Sequence, residues 1–527
     1  MSKFNTVAIK AAAGQGPIAA EAAPSGRTHE GGAGYRHDAR SELFLLAVSN
    51  FVAEDTFYEK ATDRDRRYVD LVHRVAAADP EWIARFLCWL RSAANMRSAS
   101  IVGALEASAA MVAASIPGSR KIVDSVLRRA DEPGEALAYW MARHGRAVPK
   151  PVKRGIADAA TRLYTERSLL KYDTASHGFR FGDVIDLVHP TPAGDKSWQG
   201  ALFGHALDRR HGHDDQTPTA LRMLAANGTL RRAAADDPTV LLDPDALSRA
   251  GMTWEDVLSL AGSTLDKARL WTALIPTMGY MALLRNLRNF DEAGVGDQAA
   301  NQVVARLTDP TEVARSRQLP MRFLAAYEHA PSLRWGHALD SALRMSLANL
   351  PALSGRSLIL VDTSASMASR GLSARSTMTP VKAAAVFAVA LAARGERVDL
   401  CGFATGVFRH EVRRGASVIR EADRFVRRVG EVGHGTRIAE SVKATLRGHD
   451  RVFVVSDMQT FASGRGTGNV TAVLPRGTPL YGFNLGGYRH TAFDAGTTNR
   501  VEFGGLTDAT FRMIPLIEAG RDADWPF

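Results

Sequence analysis

The chain has 527 residues, 46% of them hydrophobic and 23% charged, which is too long for a single core and too ordinary in composition for a disordered or fibrous chain; two to four domains are expected. About +7 of the net +10 charge falls after Pro351, so any surface for a polyanion in the larger N-terminal part has to be a local patch. Cys88 and Cys401 are the only cysteines and fit no zinc spacing, and no run approaches the ~18 apolar residues of a membrane span; together these read as a cytoplasmic protein with free thiols and no membrane partner.

Residues 1–34 open with MSKFNTVAIKAAAGQG, which lacks the apolar stretch of a secretory signal and reads as a flexible Ala/Gly-rich tail. From 35 to 352 helix follows helix. In DPEWIARFLCWLRSAAN, Asp79 is placed to cap and Pro80 to take the first helical position, with Trp82, Phe86, Trp89, Leu90 and Ala93 on one face. SIVGALEASAAMVAAS, GEALAYWMARHG, VKRGIADAATRLYTERS, MTWEDVLSLAGS, ARLWTALIPTMGYMALLRNLRNF and RWGHALDSALRMSLANL repeat apolar residues at helical spacing. With almost no alternating strand pattern over some 300 residues, the expectation is an α-solenoid of paired helices; no fixed-period repeat is visible, and a large helical bundle is the alternative.

The pattern changes at residue 353. SLILVDTS reads as a buried parallel strand, followed by a helix (PVKAAAVFAVALAARG), a strand (RVDLCGFA) and an edge strand (GVFRHEV). Two helices (ASVIREADRFVRRV and TRIAESVKATLRG), two further strands (RVFVVSD and PLYGFNL) and a terminal helix (DATFRMIPLIEAG) complete residues 353–527 as a doubly wound α/β sheet.

That sheet carries a candidate metal site. Asp362, Ser364 and Ser366 follow its first strand, Thr436 lies in the Gly-flanked GHGTR, and Asp457 ends the strand VVSD, all within about 95 residues. Two carboxylates and three hydroxyls make an all-oxygen set suited to a hard divalent cation, Mg2+ first among them. DxSxS alone is a weak string, since Asp and Ser also cap and turn, and capping without metal is the competing reading. The three elements in this order resemble the metal-ion-dependent adhesion site of the von Willebrand factor A family, whose fold is Rossmann-like. No general base or nucleophile pair accompanies them, so an enzyme is not expected.

The two-part layout resembles the TROVE-module ring proteins, the family of the Ro autoantigen and its bacterial Ro-like relatives. The resemblance rests on THEGGAGYRHDARSELFLLAVSNFVAEDTFYE (Thr28 to Glu59), WLRSAANMRSAS, VKRGIADAATRLY…LLKYDT, FGDVIDLVHPTP, IPTMGYMALLRNLRNF, RQLPMRFLAAY and LILVDTSASM. It implies HEAT-like repeats closed into a ring by the A-type domain. It also implies Y-type small noncoding RNA on an outer basic surface, single-stranded 3′ ends of misfolded RNA in a central hole, and in bacterial relatives a coupled 3′-to-5′ exoribonuclease. The function so implied is noncoding-RNA quality control by binding.

The place to look for such RNA is ARHGRAVPKPVKRG, where Arg143, Arg146, Lys150, Lys153 and Arg154 crowd together, with Lys171, Tyr172 and Arg180 following. Cationic side chains would neutralise phosphates and Tyr172 would stack on an unpaired base. His189 joins them because it lies in a motif of the family's RNA face. Charge alone reads equally as solvated helix faces, and His189 before Pro190 as a packed or capping residue. Arg285, Asn286, Arg288 and Asn289 could line a ring interior or simply pair with neighbours, whereas Trp82, Phe86 and Trp89 read as core. A rival function is a scaffold that recruits an acidic ligand through the A-domain cation.

Overall fold

A computed structural model describes residues 14–527 except 50–54, 177, 214–215, 319, 331, 348–352, 372–376, 414, 463–469, 505–512, 515–516 and 520–521. Between residues 39 and 346 the described residues form helices and turns, without a strand. The local rules hold well here. Asp79 accepts the Trp82 amide at 3.0 Å, Pro80 opens the helix Pro80–Ser92, and Trp82, Phe86, Trp89 and Leu90 are buried. Ala93 ends that helix as an exposed cap rather than joining its buried face.

Two stretches expected as continuous helices are broken. Thr165 accepts the Ser168 amide and starts the helix Glu166–Tyr172, ending Lys150–Leu163 before it. Pro276 has no amide proton to give, and the chain passes through the tight turn Ile275–Thr277 between helices Lys267–Leu274 and Tyr280–Glu292. Elsewhere helices approach closely through small residues. A Cβ on Gly155 would stand 2.6 Å from the Arg120 carbonyl, so helix Lys150–Leu163 packs on Ser119–Val126 only with glycine there.

The helical solenoid has two cores. One runs from the first helix to Leu224, and the other begins at Leu230 and continues without a break into the sheet domain. Each end of the solenoid meets that domain. At the N-terminal end, Arg64 and Arg67 donate to the carbonyls of Gly486 and Gly487 at 3.1 and 3.0 Å. At the C-terminal end, Lys382 pairs with Glu328 at 2.7 Å and Ser417 donates to Asp340 at 2.7 Å. Trp525 and Phe527 reach back to the first core, with ring centroids 5.1 and 5.3 Å from Trp82.

Among the described residues nine strands fall in two sheets: β1 (Gly26–Arg27), β2 (Ala33–Arg36), β3 (Leu353–Asp362), β4 (Gly395–Phe403), β5 (Val407–His410), β6 (Arg451–Ser456), β7 (Leu480–Asn484), β8 (His490–Thr491) and β9 (Arg500–Gly504). The large sheet has the order β5-β4-β3-β6-β7-β9, parallel except for the antiparallel edge strand β5. It is a doubly wound sheet whose direction of winding reverses between β3 and β6, where such folds open a crevice at the carboxyl ends of the strands.

Two differences from the sequence reading stand out. Residues 14–34, expected as part of a flexible tail, are docked: β2 pairs with β1 on one side and β8 on the other, Ala20 donates to the Ala495 carbonyl at 2.8 Å, and Ile18 is buried. Beside them His37 meets Glu502 at 2.7 Å with both side chains fully buried, and Glu502 also accepts from Asn484 and Thr491. The second difference is β9, which the sequence reading did not contain. Residues 1–13, the chain link at 348–352 and most of the expected terminal helix lie outside the described residues.

Candidate metal centre and nucleic-acid surface

β3 ends on Asp362 and β6 delivers Asp457 one residue past its end, so both carboxylates stand at the point where the sheet reverses. Asp362, Ser364, Ser366, Thr436 and Asp457 are all buried. Asp362 accepts the Ser364 amide through Oδ1 at 2.9 Å and the Ser456 hydroxyl through Oδ2 at 2.5 Å. The Ser364 and Ser366 hydroxyls lie 3.1 Å apart, and Ser366 in turn hydrogen-bonds to Asp457.

The Gly-flanked loop is carried to this point by two backbone bonds. Ala365 donates to the His434 carbonyl at 2.9 Å, and Phe461 donates to the Thr436 carbonyl at 2.8 Å. Gly433 has φ of +90° and a Cβ there would lie 2.8 Å from Thr405 Oγ1, so glycine is required for the loop to lie this close. Met458, just after Asp457, also takes a left-handed conformation (φ +62°), its amide held by Ser456 Oγ at 3.0 Å. The structure thus brings together Asp362, Ser364, Ser366 and Asp457 by side chain and Thr436 by backbone.

Burial pushes the Asp362 carboxyl up to about 6, and burial together with the nearby Asp362 charge pushes Asp457 up to about 7. Among the described residues neither carboxylate has an ion-pair partner. Two buried carboxyls close to the Ser364, Ser366 and Ser456 hydroxyls fit a hard divalent cation, which would supply positive charge, although Arg370, 3.9 Å from Asp55, lines the adjoining cavity. A cavity of about 60 Å³ borders Ser366 and Asp457, with Tyr488, Thr56 and Phe57 among its lining. No group of three His, Cys, Asp or Glu side chains of metal-binding geometry occurs among the described residues, so a cation here depends on the hydroxyls. Ser456 was not foreseen, although it neighbours Asp457 on the strand.

The expected RNA-facing residues divide into two sets. Lys150, Lys153 and Arg154 sit at helical spacing on Lys150–Leu163, opposite buried Val152, Ile156 and Ala159. Lys150, Arg154 and the nearby Arg146 are exposed and Lys153 half-buried, and none of the four pairs with an acidic side chain among the described residues. His189 is exposed at the left-handed cap of helix Phe181–Val188, with its backbone rather than its ring making the cap. Tyr172 is half-buried, with Arg129 and Lys171 over its ring at 5.4 and 5.2 Å.

The other two are committed internally. Arg180 bonds to buried Asp173 at 2.7 Å, and Arg143 lies 3.5 Å from buried Glu106. Glu106 also receives His73 at 2.6 Å and Tyr139 at 2.7 Å. Burial raises the Glu106 carboxyl, but these hydrogen bonds and the neighbouring histidines outweigh it and hold the group at about 2. The charge on Arg143 is therefore partly spent within the fold.

A feature the sequence showed only in part is a cavity of about 770 Å³ lined by Arg167, Lys171, Arg285, Asn286, Arg306 and Arg315 among others. Lys171 comes from the first core's side and the other end of the cavity from the second. Arg306 is tied to Glu312 at 2.8 Å, while Arg288 lies outside the lining in an ion pair with Glu292. Asn289 donates to Asn286 at 2.7 Å.

Residues 245–334 match the TROVE domain. The fold is that of a Ro protein: the crystal structure of Deinococcus radiodurans RO (RSR) protein superposes with a TM-score of 0.59 at 19% identity, covering 92% of this chain and all of that one. Over 83 residues the chain is 40% identical to telomerase protein component 1 of Mus musculus, and over 78 residues equally so to that of Rattus norvegicus. These segments cover 15% and 14% of this chain and only 3% of each relative. Among the described residues no helix is long and apolar enough to cross a membrane.

Proposed function

We propose that this is a Ro-like RNA-binding protein that acts in noncoding-RNA quality control by binding, without catalysis of its own. Y-type small noncoding RNA is held on the face formed by Arg146, Lys150, Lys153 and Arg154. The single-stranded 3′ end of a misfolded RNA enters the opening of a ring that the sheet domain closes. The observation that carries this reading is the 770 Å³ cavity, in which five cationic side chains face two acidic ones and most of the lining falls in the TROVE-matching segment. Phosphates are bound by such groups without regard to sequence. The two junctions between solenoid and sheet domain support closure into a ring, and the fold likeness to a Ro protein supports the class of ligand.

The sheet domain is, on this reading, a von Willebrand factor A-type domain whose Asp362, Ser364, Ser366, Thr436 and Asp457 hold Mg2+. When bound, the ion supplies charge neutralisation and a template for oxygen ligands. A 3′-to-5′ exoribonuclease recruited through the bound Y RNA would supply degradation in the cytoplasm.

The test is fluorescence anisotropy with a structured RNA carrying, or lacking, a single-stranded 3′ extension. The tailed RNA is expected to bind about tenfold or more tightly, with affinity falling steeply as salt rises. Equal, salt-insensitive binding of both RNAs would contradict the reading.

A further inference from the structure

Where the N-terminal end of the solenoid meets the sheet domain lies a cleft of about 470 Å³, lined by Arg36, Arg66, Arg67, Arg74 and Arg489 with Glu42, Asp63 and Asp70 among the rest. The five arginines do not serve alike. Arg67 is buried, pairs with Glu42 and Glu59 at 3.0 and 2.9 Å and donates to the Gly487 carbonyl, so its charge holds the joint. Arg66 lies 3.7 Å from Asp63, one turn away on helix Ala61–Ala78. Arg36, Arg74 and Arg489 are exposed, and none of the three pairs with an acidic side chain among the described residues. With the paired groups set aside, three arginines stand against Asp70 alone.

The three come from separate parts of the chain. Asp63, Arg66, Arg67, Asp70 and Arg74 recur at helical spacing, so one face of helix Ala61–Ala78 walls the cleft. Arg36 ends β2 and Arg489 directly precedes β8, and the pairing of those strands sets Arg36 opposite His490. Burial holds the His490 imidazole below its ordinary value and the charges of Arg36 and Arg489 add to the effect, so both guanidinium charges are felt at one ring.

Like charges gathered without counter-charge repel, and these three pair with nothing that would repay that cost. Guanidinium groups match phosphate oxygens in shape and charge. Among the described residues the only aromatic ring in the lining is that of His37, fully buried against Glu502. A base therefore finds no exposed ring to stack on, and a run of backbone phosphates fits the cleft better than a single nucleotide.

Resting on the reading of the chain as an RNA-binding protein, we infer that this cleft is a further site for RNA backbone phosphates, held by Arg36, Arg74 and Arg489. It shares no lining residue with helix Lys150–Leu163 or with the 770 Å³ cavity. RNA laid here bridges the N-terminal segment, the solenoid and the sheet domain, and tightens the joint between them.

The experiment compares full-length wild type with two triple reversals of equal charge change. One is Arg36→Glu, Arg74→Glu and Arg489→Glu in the cleft; the other, a control, is Arg394→Glu, Arg397→Glu and Arg476→Glu. The control arginines are exposed near the amino ends of β4 and β7, whereas Arg489 follows the carboxyl end of β7. Anisotropy with the tailed structured RNA is read over a salt series. The cleft variant is expected to bind about tenfold or more weakly, with a salt slope lower by about 2–3, and the control to stay within about twofold of wild type. Equal losses in the two variants overturn the cleft as a site while the wild type still binds RNA. Wild type that shows neither tail preference nor salt dependence sinks the RNA reading and this inference with it.

A second arm follows hydrogen exchange of residues 26–37 and 486–491 with RNA, AMP or inorganic tripolyphosphate. RNA should slow exchange in the wild type and not in the cleft variant. Slowing by AMP or tripolyphosphate and none by RNA identifies a small phosphate ligand and overturns the inference. If the reversal melts early, the triple variant Arg36→Ala, Arg74→Ala and Arg489→Ala is read instead. It should lower the salt slope by the same amount, and an unchanged slope counts against the cleft.

Discussion

At the scale of single residues, the same side-chain type plays opposite parts, and burial decides which. Arg180 looked like a phosphate contact in the sequence, yet it neutralises Asp173, whose side chain is fully buried. Asp173 keeps Arg209 at 3.8 Å and the Phe181 amide at 2.9 Å, so Arg180→Ala should cost about 1–3 kcal/mol in urea unfolding, with RNA affinity of the folded protein little changed. Glu106 offers a pH-dependent counterpart. Its folded carboxyl is held at about 2, below the ordinary 4.5, so its contribution to stability is complete above the ordinary value and is lost as pH falls through the folded one. Glu106→Gln should therefore destabilise by about 1–3 kcal/mol at pH 7, with the difference from wild type shrinking below pH ~4.

Legibility in the sequence followed range. Asp362, Ser364 and Ser366 lie within five residues at the end of an apolar strand, and Asp457 ends another, so spacing alone brought them together. Tyr58, hydrogen-bonded to Ser366, reaches the same place from some 300 residues away, and no spacing rule spans that distance.

At the scale of elements, strong periodicity was readable and short pairing was not. The helices, β3, β4, edge strand β5, β6 and β7 were all visible as patterns. β1 and β8 have two residues each and β2 has four, too few to show a period of two. β9, RVEFG, mixes a buried ion-paired Glu502 into its run, which masks a buried strand. The helix Lys150–Leu163 is the element on which RNA binding turns. Its three outward cations sit on one face and none is neutralised internally, unlike Arg143 and Arg180. The triple charge reversal Lys150→Glu, Lys153→Glu and Arg154→Glu should lower affinity similarly for unrelated RNAs and reduce the salt slope by about 2–3. A loss confined to one RNA sequence would count against phosphate contact.

At the scale of the whole molecule, the solenoid is held to the sheet domain through both of its cores. The second core runs into the domain directly, while the first is reached by Arg64, Arg67, the docked N-terminal segment and the aromatic contacts of Trp525 and Phe527. Trp525 is half-buried; Trp525→Ala strips rings from Phe44 and Trp82 and should cost about 1–3 kcal/mol, seen as early exposure to protease of residues 39–113 ahead of the sheet domain. One domain boundary at residue 352 is thus a division of the sequence more than of the packing.

RNA binding by the solenoid is tested most directly by mapping where RNA touches the protein. Full-length protein bound to a structured RNA with a 3′ single-stranded tail, crosslinked by ultraviolet light and mapped by mass spectrometry, should give two groups of adducts. Duplex regions are expected at Arg146 to Arg154 and the tail near Lys171 and Arg285. Adducts confined to the arginine-rich stretch Arg420 to Arg428 of the sheet domain, with neither solenoid site labelled, would contradict it.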